Sequence, residues 1–293
     1  MSAGEVTVVA LNLEDGGWDQ QHQDHRKLDL LPEVIGQVPG EVDVVLFQEG
    51  KYYGFRGQRL RYRAENLLAD FGLRSFMTPS TIGQLHDLVF VRWPRFRPIE
   101  HFKAELPDAF HDQIGWLHFG VEGLERPMAV RSLQWAYWDG GTRLDAAQKL
   151  TRFAAPGQLT LLGGDFNALW PDCDDHAEFE PGWERLPPHK RTHKTLPPGL
   201  RLDGRLVSDR RATQVLHEVG FINAGCVAGD MTPTVNSHID QGQGARIDHI
   251  LSSPDLAPAL VPDSYRVWIS ELGDRISDHR MISVRLDLDR LGR

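Results

Sequence analysis

Polar side chains at the ends of apolar runs carry most of the chemistry this sequence can do. Residues 159–169 read LTLLGGDFNAL: four residues suited to a buried strand, two glycines, then Asp165 and Asn167. A strand alternates its side chains with period two, so these two groups share a side wherever strand geometry persists. The same placement recurs along the chain. Asn12 and Glu14 follow VTVVAL, Glu49 closes VDVVLFQE, Asp248 interrupts RIDHIL, and Asp278 and His279 precede the last apolar run. Hard oxygen ligands of this kind suit magnesium or manganese. Magnesium needs only one or two carboxylates, so Glu49 with Glu14 or Asp278 is sufficient. A histidine beside a carboxylate supplies a proton acceptor, or a donor to a phosphoryl oxygen. A cation, a positioned water and donors around non-bridging oxygens are the parts that phosphoester cleavage requires.

The elements that deliver these groups are mostly strands. Apolar runs at 6–13, 42–49, 87–93, 115–123, 127–135, 159–166, 246–253, 265–270 and 280–288 are nearly continuous, as in strands covered on both faces. Helical spacing predicts helices over 57–72, 142–154 and 208–220, the last with Ser208 as cap and Gly220 as stop. A helix over 28–38 requires Pro32 in its first turn. The stretch 171–204 is rich in proline, lacks periodic apolar positions and holds the basic run HKRTHK. It reads as a long loop insertion, and such loops are often functional. No linker divides the chain, so residues 1–293 are expected to form one mixed α/β domain.

Bulk properties narrow the partners. A net charge of -9 does not imply a broad electropositive surface for nucleic acid, and an acidic chain is compatible with a carboxylate metal site. Cys173 and Cys226 lack zinc-ligand spacing; two buried free thiols are expected, with a single bridge as the alternative where geometry allows. The N-terminal run reads as a strand without the basic segment of a signal peptide, and no stretch has the length of a membrane helix. A cytoplasmic monomer that does not insert in a membrane is the expectation.

The set NLE, QE, GGDFN, RIDHIL and SDH, in this order, resembles the endonuclease/exonuclease/phosphatase superfamily from Asn12 to the last strand. The resemblance implies a four-layer sandwich, with two mixed β-sheets packed face to face and helices on both outer faces. It implies a magnesium-dependent hydrolase, manganese being an alternative, that cleaves a phosphodiester or phosphomonoester with an activated water. Glu49 would be the principal metal ligand, with Glu14 beside it and Asp278 completing the shell. Asn12 would hydrogen-bond near the metal. Asp165 would orient or deprotonate the water, Asn167 would donate to the scissile phosphate, and Asp248 would hold the ring of His279 against a phosphoryl oxygen. Many members carry a histidine where Gln134 stands here, and glutamine cannot carry a proton at neutral pH. Gln134, Trp135 and Arg143 are the candidate substrate-binding residues, and Tyr137 and Trp138 lie beside them. Three readings of function stay open: a nuclease-like enzyme, which is slightly favoured, a hydrolase of a small phosphorylated metabolite or phospholipid head group, and a catalytically silent binding protein of the same fold.

Overall fold

The computed structural model describes residues 3–78, 84–103, 115–171, 180–239 and 244–292. Its strands are β1 (Glu5–Asn12), β2 (Val44–Gln48), β3 (Leu73–Thr78), β4 (Asp87–Arg92), β5 (Phe96–Lys103) and β6 (Gly115–Val121). The second half adds β7 (Met128–Gln134), β8 (Leu159–Asp165), β9 (Ile222–Asn223), β10 (Asp248–Ser252), β11 (Leu260–Val267) and β12 (Ile282–Asp287). They form two six-stranded sheets, ordered β11-β12-β1-β2-β4-β3 and β5-β6-β7-β8-β10-β9. Both sheets are mixed: β1 runs parallel to β2, and β7 parallel to β8, while the other pairs are antiparallel.

Side-chain alternation explains the layers. In β1, Val6, Val8 and Ala10 face inward, where they meet Val130, Leu161 and Ile250 of the second sheet. Val9 and Leu11 face outward and pack with Leu31, Val34, Ile35, Ala64 and Leu68 from helical segments. The outer face of the second sheet, with Ala129, Leu133, Leu162 and Leu251, is covered by Ala146, Ala147 and Leu150 and by Ala212 and Leu216. Every interior strand is therefore apolar on both faces, which is why these runs read as continuous. The covering helices are Leu31–Ile35 and Arg59–Leu67 on one side and Gly140–Leu150 and Arg211–Glu218 on the other.

Local details depart from the expectation in three places. Pro32 does sit in the first turn of its helix, but the segment before it, Arg26–Leu30, is a separate 3-10 turn. Ser208 does not cap the helix that starts at Arg211; its hydroxyl donates to Glu180 Oε2 at 2.7 Å and accepts from Trp183 Nε1 at 2.9 Å. Cys226 is not a free thiol but disulfide-bonded. Sequence spacing alone says nothing about the spatial approach that a disulfide requires. The only other cysteine, Cys173, lies outside the described residues. No helix among the described residues is long and apolar enough to cross a membrane.

Candidate active site

Strand register brings the polar ends together. The parallel pairing sets Asn12 of β1 beside Gln48 of β2, so Glu49 emerges one residue further on. In the other sheet Gln134 of β7 pairs with Asp165 of β8, and Asp165 in turn pairs with Asp248 of β10. His279 precedes β12, which runs antiparallel to β1, and it forms a bridge with Val235. Five interior strands, β1, β2, β7, β8 and β10, and the loop before β12 thus meet at a common rim between the sheets.

The glycine pair of β8 makes this approach possible. A Cβ on Gly163 would come within 2.5 Å of Leu46 Cδ1, across the sheet interface. A Cβ on Gly164 would lie 2.1 Å from the Leu133 carbonyl and 2.7 Å from the Gln48 carboxamide, and its φ of +142° disfavours any other residue. Behind the rim, Gln48 Nε2 donates to Ser132 Oγ at 2.7 Å and ties β2 to β7. The glycines therefore serve contact between the sheets rather than a turn. The turn comes at Asn167, whose φ is +47°. Strand geometry ends at Asp165, and the turn folds Asn167 back onto it. The Asn167 amide donates to Asp165 Oδ1 at 2.8 Å, and its Nδ2 donates to Asp165 Oδ2 at 2.9 Å.

Hydrogen bonds organise the cluster further. Asn12 Nδ2 donates to Glu49 Oε1 at 3.1 Å and to Asp165 Oδ2 at 3.2 Å, linking the two sheets. Glu49 Oε1 also accepts from Gln134 Nε2 at 2.6 Å, and its Oε2 accepts from the Asp15 amide at 2.8 Å. His279 Nδ1 meets both oxygens of Asp248, at 3.0 and 2.9 Å, while Nε2 lies 3.8 Å from Asp165 Oδ2. Glu14 pairs with Lys27 at 2.9 Å, and its amide donates to Asn12 Oδ1 at 3.0 Å. Two supporting residues escaped the sequence reading. Thr234 donates to Asp248 Oδ2 at 2.6 Å, and Ser277 donates to the Asn12 carbonyl at 2.6 Å while accepting from the His279 amide at 3.0 Å. Ser277 is the first residue of the SDH motif itself; Thr234 is 14 residues from Asp248 in a loop, and no sequence signal marks it.

Two candidates do not face the site. Trp135 is buried, with its ring edge-on to Phe166 at 4.8 Å between centroids. Arg143 is buried too, and donates to the carbonyls of Ala136 and His193 at 2.9 and 2.7 Å. Both support the loop that follows β7. Gln134 does reach the cluster, through Glu49. A separate groove of about 700 Å³, lined by residues including Val38, Asp263 and Trp268, shares no residue with this cluster.

Electrostatics mark the site as short of positive charge. Burial pushes Asp165 up to about 7, against the pull of His279 and with Asp248 adding like charge. Burial also raises Asp278, which faces Glu14 and Glu49 as well as His279. Burial alone would lower His279, but Asp248 and Asp165 outweigh it and hold the ring well above its ordinary value. The donor set of Glu14, Glu49, Asp165, Asp248 and Asp278 around one imidazolium fits a divalent cation with oxygen ligands. Asp165, Asp248 and His279 are buried and offer ligand atoms within 4.8 Å of one another, a grouping that could hold a metal.

A family model described as Endonuclease/Exonuclease/phosphatase family matches residues 18–279. The chain belongs to this family. Members of the family are hydrolases acting on phosphoester bonds. The match leaves out Asn12 and Glu14, whose place in the cluster rests on the geometry above. No curated protein matches the chain. Solved structures share the fold at low identity. An AP endonuclease from Archaeoglobus fulgidus aligns with TM-score 0.61 and 17% identity, covering 96% of this chain and 99% of its own. A variant of the 3′ phosphatase NExo from Neisseria, bound to product DNA hairpin, aligns at 0.60 and 17%, with 96% and 99% covered. A mannosyl-6-phosphatase from Bacteroides thetaiotaomicron aligns at 0.58 and 15%, with 95% and 98% covered.

Proposed function

We propose that this chain hydrolyses a phosphoester bond with a divalent cation, magnesium or manganese, at the Asn12–Glu49–Asp165–His279 cluster. One observation carries the reading: His279, clamped through Nδ1 by Asp248, presents Nε2 toward Asp165 at the rim where both sheets end. Glu49 is the best-placed ligand. It accepts three hydrogen bonds, and a carboxylate offers about four lone-pair sites, so one stays free for a cation. Glu14 and Asp278 would complete the shell. His279 is a poorer ligand, because its raised pKa keeps protons on both ring nitrogens. When bound, the cation would neutralise charge developing on the phosphoryl oxygens.

The chain's own residues then divide the work. Asp165, close to neutrality in its titration, orients a water and takes its proton. The two N–H groups of Asn167 Nδ2 bond Asp165 Oδ2 at 2.9 Å and the Trp135 carbonyl at 3.0 Å, and one of them turns to a non-bridging oxygen when substrate binds. The His279 imidazolium donates to the same phosphoryl group as negative charge builds, and Asp248 keeps its ring in orientation. Gln134 and Asn12 fix the Glu49 carboxylate by two donors.

A parallel release assay, run with magnesium and with manganese, tests this reading on plasmid DNA, RNA, nucleotides, sugar phosphates and phospholipids. Nicking of plasmid or shortening of RNA supports a nuclease. Phosphate from one small molecule alone supports the metabolite reading. No turnover of any substrate, with either metal, would leave the silent binding protein.

A further inference from the structure

Six large aromatic side chains among the described residues are conspicuously exposed: Tyr52, Phe55, Tyr62, Trp93, Tyr137 and Trp138. Four of these six leave the site on two short loops. Tyr52 and Phe55, 43% and 49% exposed, are the third and sixth residues after Glu49. Tyr137 and Trp138, 58% and 42% exposed, are the third and fourth after Gln134, whose amide touches Glu49. Glu49 is thus the root of one aromatic pair and the contact point for the loop that carries the other.

Each pair is built rather than loose. Tyr52 and Phe55 stand edge to face at 6.0 Å, and the row continues through His25, 6.5 Å from Tyr52, to Trp18, 5.1 Å from His25. His25 Nδ1 is anchored on the Gly16 carbonyl at 3.0 Å. Tyr52 holds a φ of +64°, a strained backbone for a bulky residue. Tyr137 and Trp138 stand edge to face at 5.0 Å, and Tyr137 lies 6.5 Å from His193. Arg143, buried beneath them, holds the Ala136 and His193 carbonyls and so joins this loop to the 180–211 segment.

Exposed rings beside a phosphoester site are suited to stacking on flat rings of the substrate, since every nucleobase has a π-face. We infer that the two aromatic pairs are base platforms on either side of the scissile phosphate, and that the substrate is single-stranded nucleic acid. This rests on the phosphoester reading above and narrows its substrate class. A sugar phosphate has no aromatic π-face and offers these rings only its C–H groups. A duplex hides its base faces and asks for an extended cationic surface, which a chain of net charge -9 does not favour. DNA and RNA single strands offer the same stacking chemistry, so the test carries both.

The test is fluorescence polarisation in EDTA, using the full chain and dye-labelled oligothymidylate, oligouridylate, an abasic oligonucleotide of equal length and a duplex. The inference expects at least one single strand to bind more tightly than both the abasic strand and the duplex. The double variants Tyr52→Ala/Phe55→Ala and Tyr137→Ala/Trp138→Ala should each weaken single-strand binding about tenfold or more and leave abasic binding where it was. Phe55→Leu and Trp138→Leu, which keep apolar bulk without the aromatic face, guard against misfolding and should weaken binding in the same direction. Equal binding of abasic and base-bearing strands, a preference for duplex, or indifference to either pair overturns the inference. Hydrolysis of bis(p-nitrophenyl) phosphate and of p-nitrophenyl phosphate by the unaltered chain, with magnesium or manganese restored, reads the catalytic site separately. Turnover there without base-dependent binding overturns the substrate class alone, whereas base-dependent binding without turnover overturns the phosphoester reading.

Discussion

At the scale of single residues, the site works through pairs in which each partner fixes the other. Asp248 accepts from His279 and thereby supports its proton; remove that charge and the ring titrates lower. If the imidazolium is the working form, activity falls as pH rises through the His279 pKa, which stands well above the ordinary value. Asp248→Asn should therefore move the alkaline limb of the kcat/KM profile to lower pH. It should cost less at neutral pH than His279→Ala, because the ring is still present. An unmoved alkaline limb, or an Asn variant worse than the Ala variant, contradicts the pairing. The residues themselves were legible because each polar group ends or interrupts an apolar run, which a buried strand would not otherwise tolerate. Their partners were less so. Thr234 and Ser277 are loop hydroxyls that only the folded chain brings to Asp248 and Asn12. Trp135 and Arg143 follow β7 in sequence and look like cleft residues, yet burial turns them into supports.

At the scale of elements, β8 is the demanding strand, because its two glycines face different neighbours. A methyl on Gly164 meets the Leu133 backbone and the Gln48 carboxamide, both held in place. A methyl on Gly163 meets the end of the Leu46 side chain, which can rotate away. Gly164→Ala should destabilise by about 2–3 kcal/mol or more and Gly163→Ala by about 1 kcal/mol, read by denaturant unfolding. The reverse order would contradict the sheet contact described here. Every interior strand was visible as an apolar run, but β3, β5 and the two-residue β9 were not. All three are edge strands. β3 places Arg74 in solvent, and β5 exposes Arg97, Pro98, Ile99 and Glu100, with a register shift between Pro98 and Glu100. Edge strands need only one covered face and tolerate proline and charge, so their sequences lose the signal that marked the centre. The turn at Asn167 was hidden for a related reason: period-two alternation cannot announce where a strand stops.

At the scale of the molecule, folding and titration are linked through His249, next in sequence to Asp248. Burial pushes its pKa down to about 3, and Arg246 adds to this against the Ala168 carbonyl, which accepts at 2.9 Å. The neutral ring is the folded form, whereas the unfolded chain binds a proton below about 6.5. Its contribution to stability is therefore complete above about pH 6.5 and is lost as pH falls toward 3, at up to about 1.4 kcal/mol per pH unit. Equilibrium unfolding between pH 7 and 4 should show this slope, and His249→Gln should flatten it; an unchanged slope assigns acid sensitivity elsewhere. The disulfide at Cys226 also bears on the whole molecule, since such bonds are uncommon in a reducing cytoplasm. The larger claim is that acidic and amide groups from both sheets converge on one cation that serves phosphoester hydrolysis. The most direct measurement is turnover of bis(p-nitrophenyl) phosphate by the EDTA-treated chain before and after magnesium or manganese is restored, with Glu49→Gln alongside. The account predicts activity only with metal, a loss of about a hundredfold or more in Glu49→Gln, and thermal stability near that of the unaltered chain. Full activity in EDTA, or a Glu49→Gln variant as active as the unaltered chain, would contradict it.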